Sequence, residues 1–231
     1  LKASTDAGME RNAFVGAAPN QTLLAVHNTH SKVLNDRNVA VCAQGLTFID
    51  NNNKEITKTE PYWMALVLAC IQGATPVAEP MTRKRLQGVE PIQTTFDPDA
   101  DANKAIRLSI VVINSPIVNR IRVERSVTTY RRNLSHPVFC EVSANESINT
   151  CIRTLRAKLD AFIGSKATPG QANSIKRSAE RHLAELQALE IIAGFKDVSV
   201  RLDGDKLNVV FDVAAIEPLN FITVQANLGQ F

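Results

Sequence analysis

At 231 residues the chain is long enough to bury a substantial core, as one large domain or two smaller ones. Hydrophobic residues make up 45% and charged residues 21%, ordinary values for a globular protein, and a formal net charge of +3 is too small to argue for a nucleic-acid partner. The longest apolar stretch, 64–71, falls far short of the roughly 20 residues that cross a bilayer, so no membrane insertion is expected.

Residues 20–34 read as a helix ending at Asn35 and Asp36. The run Val39, Ala40, Val41, Cys42, Ala43 is continuously apolar, which suits a strand covered on both faces, as in a parallel sheet. Residues 46–49 and 56–58 read as a hairpin across an Asp50–Lys54 turn. A helix follows, capped by Thr59, with Pro61 in its first turn and Gly73 at its end. Its apolar residues, among them Trp63, Met64, Leu66, Leu68 and Cys70, cover all sides, which predicts a buried helix. After a proline-punctuated segment, 108–113 is another buried strand. A strand over 117–129 then places Ile121 and Val123 on one face and arginines on the other. Strand, buried helix, strand and strand in this order suggest an α/β sheet.

A boundary is expected near residues 133–137, because the pattern changes beyond it. Ser143 and Glu146 read as a capping box, with Ile148, Ile152, Leu155, Leu159 and Phe162 forming one apolar stripe before Gly164. Thr168 and Pro169 open a second helix with Ile175, Ala179, Leu183, Leu186 and Leu189 on its stripe. Two such helices joined by a short loop pack antiparallel. Val198, Val200 and Leu202, a turn at 203–205, and Leu207, Val209, Phe211 and Val213 then make a hairpin with period-two alternation. Pro218 precedes a last alternating strand. No signal peptide is visible, and a chain beginning Leu1-Lys2 without methionine reads as a piece of something longer.

Little here points to chemistry. His27 and His30 lie three apart on a helix, but no third ligand has matching spacing, so no metal site is expected. His136 and His182 read as surface or boundary residues. Asp97, Asp99 and Asp101 lack the glycine and distal glutamate of a helix-loop-helix calcium site and read as a solvated loop before a short helix near 102–107. The ten glycines form no phosphate loop, and no GxSxG, HExxH or GxGxxG is present, so no cofactor is expected. Arg83, Lys84 and Arg85 read as a solvated turn. Cys42, Cys70, Cys140 and Cys151 show no CxxC spacing and sit among apolar neighbours, as buried reduced thiols of an intracellular protein would.

Asp36, Arg37 and Asn38 stand ahead of the Val39 strand, and an alanine-rich helix runs from Pro61 to Ala69. Pro76, Pro80, Met81, Thr82 and Lys84 follow, then Val123, Arg125, Val127, Thr128 and Thr129. Ile191 to Phe195 and Glu217 to Ile222 complete a pattern that covers nearly the whole chain. In this order the segments resemble the tail sheath proteins of contractile phages and related injection machines. The stretch from Val123 to Thr129 is the most specific internal match, and Cys70 stands in place of the family's usual glycine.

The resemblance implies an α/β fold with a subtilisin-like sheet topology over residues 1–133. A smaller α+β C-terminal domain, 134–231, would hold two helices, a β-hairpin and a terminal strand, and would lie innermost, against the tail tube. It implies a non-enzymatic structural subunit of a virion tail, assembled in the bacterial host cytoplasm. Its partners would be neighbouring sheath subunits in a stacked-ring or helical homopolymer and a tail tube protein. Leu219, Phe221, Ile222, Thr223, Val224 and Ala226 would pair strands between subunits. Arg153, Arg156, Lys158, Lys176, Arg177 and Arg181 would face the tube. A subtilisin-like α/β hydrolase is the competing reading, but no Ser/His/Asp set can be assembled from the sequence. A nucleic-acid-binding module would need a larger basic face.

Overall fold

In the computed structural model, which describes residues 10–49, 52, 56–91, 97, 100–114, 121–131, 137–166, 168–203 and 206–219, the run Val39–Cys42 is a strand and every residue in it is buried. In chain order the strands are β1 (Ala13–Gly16), β2 (Val39–Cys42), β3 (Leu46–Ile49), β4 (Ile56–Lys58), β5 (Glu90–Pro91), β6 (Val112–Asn114), β7 (Arg122–Arg125), β8 (Ile192–Asp203) and β9 (Lys206–Ala215). Helix α1 runs through Leu23–Val26, a π turn His27–Ser31 and Lys32–Leu34. The others are α2 (Pro61–Ala74), α3 (Ala102–Arg107), α4 (Val142–Leu159) and α5 (Pro169–Ala188).

β1 and β2 pair in parallel, Ala13 with Val39 through Gly16 with Cys42. On its other side β2 meets Val111, whose N–H donates to the Val41 carbonyl at 2.8 Å. The chain then continues into β6, which pairs antiparallel with β7. Two-sided burial follows from the period-two side-chain alternation of a strand. Ala40, Cys42, Val111 and Ile113 point into one core with Met64 and Leu68 of α2. Val41, Ile110 and Val112 point into another with Leu23 and Val26 of α1. A continuous apolar run is what a strand needs when helices cover both faces. Gln44 completes the layer: its fully buried amide accepts from the Ile113 N–H and donates to the Ile113 carbonyl, both at 2.8 Å, as a backbone rung would. Gly16 is required by packing, since a Cβ there would lie 2.2 Å from the Tyr62 nitrogen at the start of α2.

Three expectations are corrected. α2 is half-exposed: Met64, Ala65 and Leu68 face the sheet, while Tyr62 (58%), Trp63 and Leu66 face outward with Cys70. A helix apolar all round gives no sign of which side is covered. Cys70 is therefore an exposed thiol. The Ser143–Glu146 capping box does not form, because α4 starts two residues earlier with Glu141 at the N-cap. The Ser143 hydroxyl has no hydrogen-bond partner among the described residues, and Glu146 turns to Asn12, Thr150 and Arg153 instead. Thr59 binds the Leu46 backbone instead of capping α2, whose N-cap is Glu60.

The second half follows its pattern closely. Thr168 caps α5 by accepting from the Gln171 N–H at 3.2 Å, with Pro169 at the first helical position. Cys151, Leu155, Ala179, Leu183 and Leu186 from the two helices close on Ile192 and Val198 of the β8–β9 hairpin. The expected boundary at 133–137 falls largely outside the described residues. Charge and hydrogen bonds hold the halves together across it. The first three turns of α4 are buried on nearly all sides, polar residues included. Asn149 donates to Asn38 at 2.9 Å and Asn12 at 3.2 Å, and Asn145 donates to the Phe139 and Glu141 carbonyls.

Candidate assembly interface

β9 alternates along its whole length, with Leu207, Val209, Phe211 and Val213 half-buried and Lys206, Asn208, Val210 and Asp212 exposed. Its inner residues lean on α4 and α5. Its partner β8 lies on one edge, and among the described residues no strand occupies the other. A groove of about 830 Å³ opens beside β9, walled by Ile152, Leu155 and Leu159 of α4, Phe162 and Ile163 after it, and Ile175 of α5. Successive β9 residues from Leu207 to Phe211 line this groove. Residues of both faces meet it, which places the strand's edge at the opening. Unpaired backbone groups beside an apolar trough form a site for an added strand: the ladder gives affinity and the trough takes alternate side chains.

Leu219, expected to begin the pairing strand, is 78% exposed. Phe221, Ile222, Thr223, Val224 and Ala226 lie outside the described residues. Of the six basic residues expected to face a tube, Arg153 and Arg156 are engaged within the chain. Arg153 donates to the Glu10 carbonyl and to Glu146, both at 2.6 Å, and Arg156 pairs with the Glu10 carboxylate at 2.6 Å. Glu10 is only 3% exposed, and its second oxygen has no partner among the described residues. Lys176 makes a long pair with Glu180 at 3.8 Å. Lys158, Arg177 and Arg181 are exposed or nearly so and have no ion pair among the described residues. Sequence periodicity placed these side chains on helix faces but missed the role of Arg153 and Arg156, because Glu10, which both of them bind, lies 143 and 146 residues away.

Groups with latent chemistry are occupied elsewhere. The π turn docks α1: the His27 Nδ1–H donates to the Leu108 carbonyl at 3.0 Å, and the Ser31 hydroxyl to the Ser109 carbonyl at 3.1 Å. His182 contacts Thr154 across the α4–α5 interface at 3.0 Å. Among the described residues no three His, Cys, Asp or Glu side chains gather in a metal-binding cluster. None of the helices described is long and apolar enough to cross a membrane. Burial pushes the Cys42 thiol up to about 12 and the Cys151 thiol up to about 11, and raises Cys140 as well, so all three stay protonated at neutral pH.

The chain matches no family model. In sequence it is similar to the tail sheath protein of Bacillus phage SP01, with 23% identity over 175 residues that cover 74% of this chain and 30% of the phage protein. In structure it is similar to a chain of the anti-feeding prophage baseplate, with a TM-score of 0.75 and 15% identity over 99% of this chain and 63% of that one. It is also similar to the helical sheath of the anti-feeding prophage in its contracted state, with a TM-score of 0.72 and 16% identity over 98% of this chain and 64% of that one. The chain thus spans less than two thirds of each of these proteins. The fold is that of the sheath proteins of contractile tails and injection systems, mixed helix and sheet, and the resemblance carried by the motifs is shown in both sequence and structure.

Proposed function

We infer that this chain is a structural, non-enzymatic part of a contractile tail sheath subunit, which polymerises around a tail tube and contracts to drive the tube through a cell envelope. One observation carries this reading: in a chain with the sheath fold, the β9 edge and its apolar groove form an acceptor with nothing in it among the described residues. The occupant is a strand of a neighbouring subunit, and Leu219, Phe221, Ile222, Thr223, Val224 and Ala226 are the donor residues of such a strand. Sharing strands keeps subunits connected while rigid bodies rotate. The work comes from better interfaces in the contracted lattice, held off by a kinetic barrier.

The parallel β1–β2–Val111 layer supports a subtilisin-like sheet in an outer α/β domain over residues 1–133, with 134–231 facing the tube. Arg153, Arg156, Lys158, Lys176, Arg177 and Arg181 form the tube-facing set. Within it Lys158, Arg177 and Arg181 make the direct contacts, and Arg153 and Arg156 hold the helix in place through Glu10. Such a subunit is a phage or injection-system tail component assembled in the bacterial cytoplasm. The test is electron microscopy of the full-length protein with and without the residues beyond Pro218. Tubes or stacked rings that need those residues support the reading; normal sheaths from the truncated protein would overturn the strand connector.

A further inference from the structure

A second, polar cleft lies on the opposite half of the molecule, between β7, α3 and the turn that follows Met81. It measures about 230 Å³, and its walls carry Thr82, Arg83, Asn103, Arg107, Glu124 and Arg125. The turn is fixed firmly: the Arg83 N–H donates to the Val123 carbonyl at 2.7 Å, and the Val123 N–H to the Lys84 carbonyl at 3.0 Å. Arg83 itself has φ 66, a left-handed conformation that a bulky residue rarely adopts. Strain of this kind persists where surrounding contacts impose it, and it concentrates at binding sites.

The charges here do not cancel. Glu124 is shared by Arg83 at 3.3 Å, Arg122 at 3.4 Å and Asn114 at 2.9 Å, while Glu141 takes Arg125 at 2.6 Å. Of the residues lining the cleft, Arg83, Arg107 and Arg125 carry guanidiniums and Glu124 a carboxylate, and Arg107 at the rim has no ion pair among the described residues. The Thr82 hydroxyl oxygen, buried in the cleft wall, has no hydrogen-bond partner among the described residues. Buried polar groups are seldom left unmade, and an orphan hydroxyl beside surplus guanidinium charge fits one kind of guest.

We propose that this cleft is an oxyanion-binding site, taking one phosphate-sized or carboxylate group on Arg83, Arg107 and the Thr82 hydroxyl. The volume is below the roughly 300 Å³ at which small-molecule pockets begin, so a single oxyanion fits and a whole nucleotide does not. The group comes either as free phosphate or as an acidic side chain of a second copy of this chain. The site does not depend on the sheath reading, and failure of either leaves the other standing.

The test is a calorimetric titration of the purified chain with inorganic phosphate at low ionic strength. Saturable one-site binding is expected, weakened tenfold or more in Arg107→Ala and several-fold in Thr82→Val, and unchanged in Arg201→Ala, an exposed arginine outside the cleft. Arg107 is exposed, so its variant should keep the native circular dichroism and melting temperature. Absence of saturable binding, or equal loss in Arg201→Ala, would overturn the site. Sedimentation velocity separates the two sources. Self-association that phosphate and Arg107→Ala both disperse identifies a carboxylate of a second copy. A chain that binds phosphate and stays monomeric, or self-associates regardless of it, has free phosphate as its guest.

Discussion

Two of the sheets, the β1–β2 layer and the β8–β9 hairpin, meet their surroundings differently. β2 has a strand on each side and a helix layer on each face, and all four of its residues are buried. Among the described residues β9 has one strand neighbour and one packed face, and every second residue is exposed. Among those residues β2 is flanked on both sides, and the second sheet presents an acceptor. The difference lies in the side-chain code: Val39, Ala40, Val41 and Cys42 leave no polar face for water, whereas Lys206, Asn208 and Asp212 hold the outer side of β9 open.

The comparison breaks most visibly where packing is finished. Leu183 is fully buried between α5 and the hairpin, so Leu183→Ala should cost ~2–5 kcal/mol in urea unfolding. Val210, 61% exposed on β9, should lose less than ~0.5 kcal/mol on the same truncation. Equal losses would mean that β9 is not an open element. The groove should respond in assembly instead of stability. Ile163→Asp, at its mouth, is expected to leave the unfolding midpoint almost unchanged while sharply reducing sheath yield in the full-length protein.

Between these extremes lies the joint at α4. Glu10→Gln leaves Arg156 without its charge partner at a nearly buried carboxylate, and a loss of ~1–3 kcal/mol is expected. Arg156→Ala removes the exposed partner and strands the buried acid, so it should cost a similar amount. Losses that simply add in the Glu10→Gln, Arg156→Ala double variant would show that the two side chains do not act as a pair.

Much of the fold was legible because local rules decided it. The two-faced strand at Val39, the Thr168 cap and the α5 stripe all depend on residues within one or two turns of one another. Cover was not legible: nothing in the apolar sequence of α2 says that Met64 faces the sheet and Tyr62 does not. Nor were the long-range polar pairings. Ser143 and Glu146 carry a local capping signal, yet Glu146 is drawn to Asn12 and Arg153 by the packing of α4 against the first strand layer. For the candidate interface, the hairpin alternation could be read, while the strand expected after Pro218 lies outside the described residues beyond Leu219. The groove could not, because it forms only where α4, α5 and β9 meet.

The four thiols sharpen the contrast between covered and open faces. Cys70 on the outer face of α2 should react first with an alkylating reagent, with Cys42 and Cys151 protected until the fold opens. Unfolded thiols ionise near 9.0, whereas Cys42 and Cys151 are held near about 12 and about 11. Above pH 9 the unfolded chain therefore loses these protons first. The stabilisation is fully present below that value and is lost as pH rises through the folded values. A fall of about 3–4 kcal/mol between pH 8.5 and 10.5 is expected from the two thiols together, and it should shrink in a Cys42→Ala, Cys151→Ala double variant.

The smallest expected effect concerns which edge of the hairpin is offered. Both irregularities in the β8–β9 ladder, between Ile192 and Gly194 and between Lys196 and Ser199, place the extra residue on β8. Bulges twist an edge away from further pairing, so β8 is blunted and β9 is left as the regular edge. The second bulge is built on Asp197, exposed and at φ 55, a conformation that glycine adopts without a Cβ penalty. Asp197→Gly should keep the bulge and stabilise the chain by a few tenths to ~1 kcal/mol in thermal unfolding, with assembly of the full-length protein unchanged. Deleting Asp197 should instead regularise β8, present a second flat edge and raise aggregation of the isolated chain in light scattering. A deletion variant as soluble as the parent would show that the bulge does not select the edge. The preference for β9 would then rest on its groove alone.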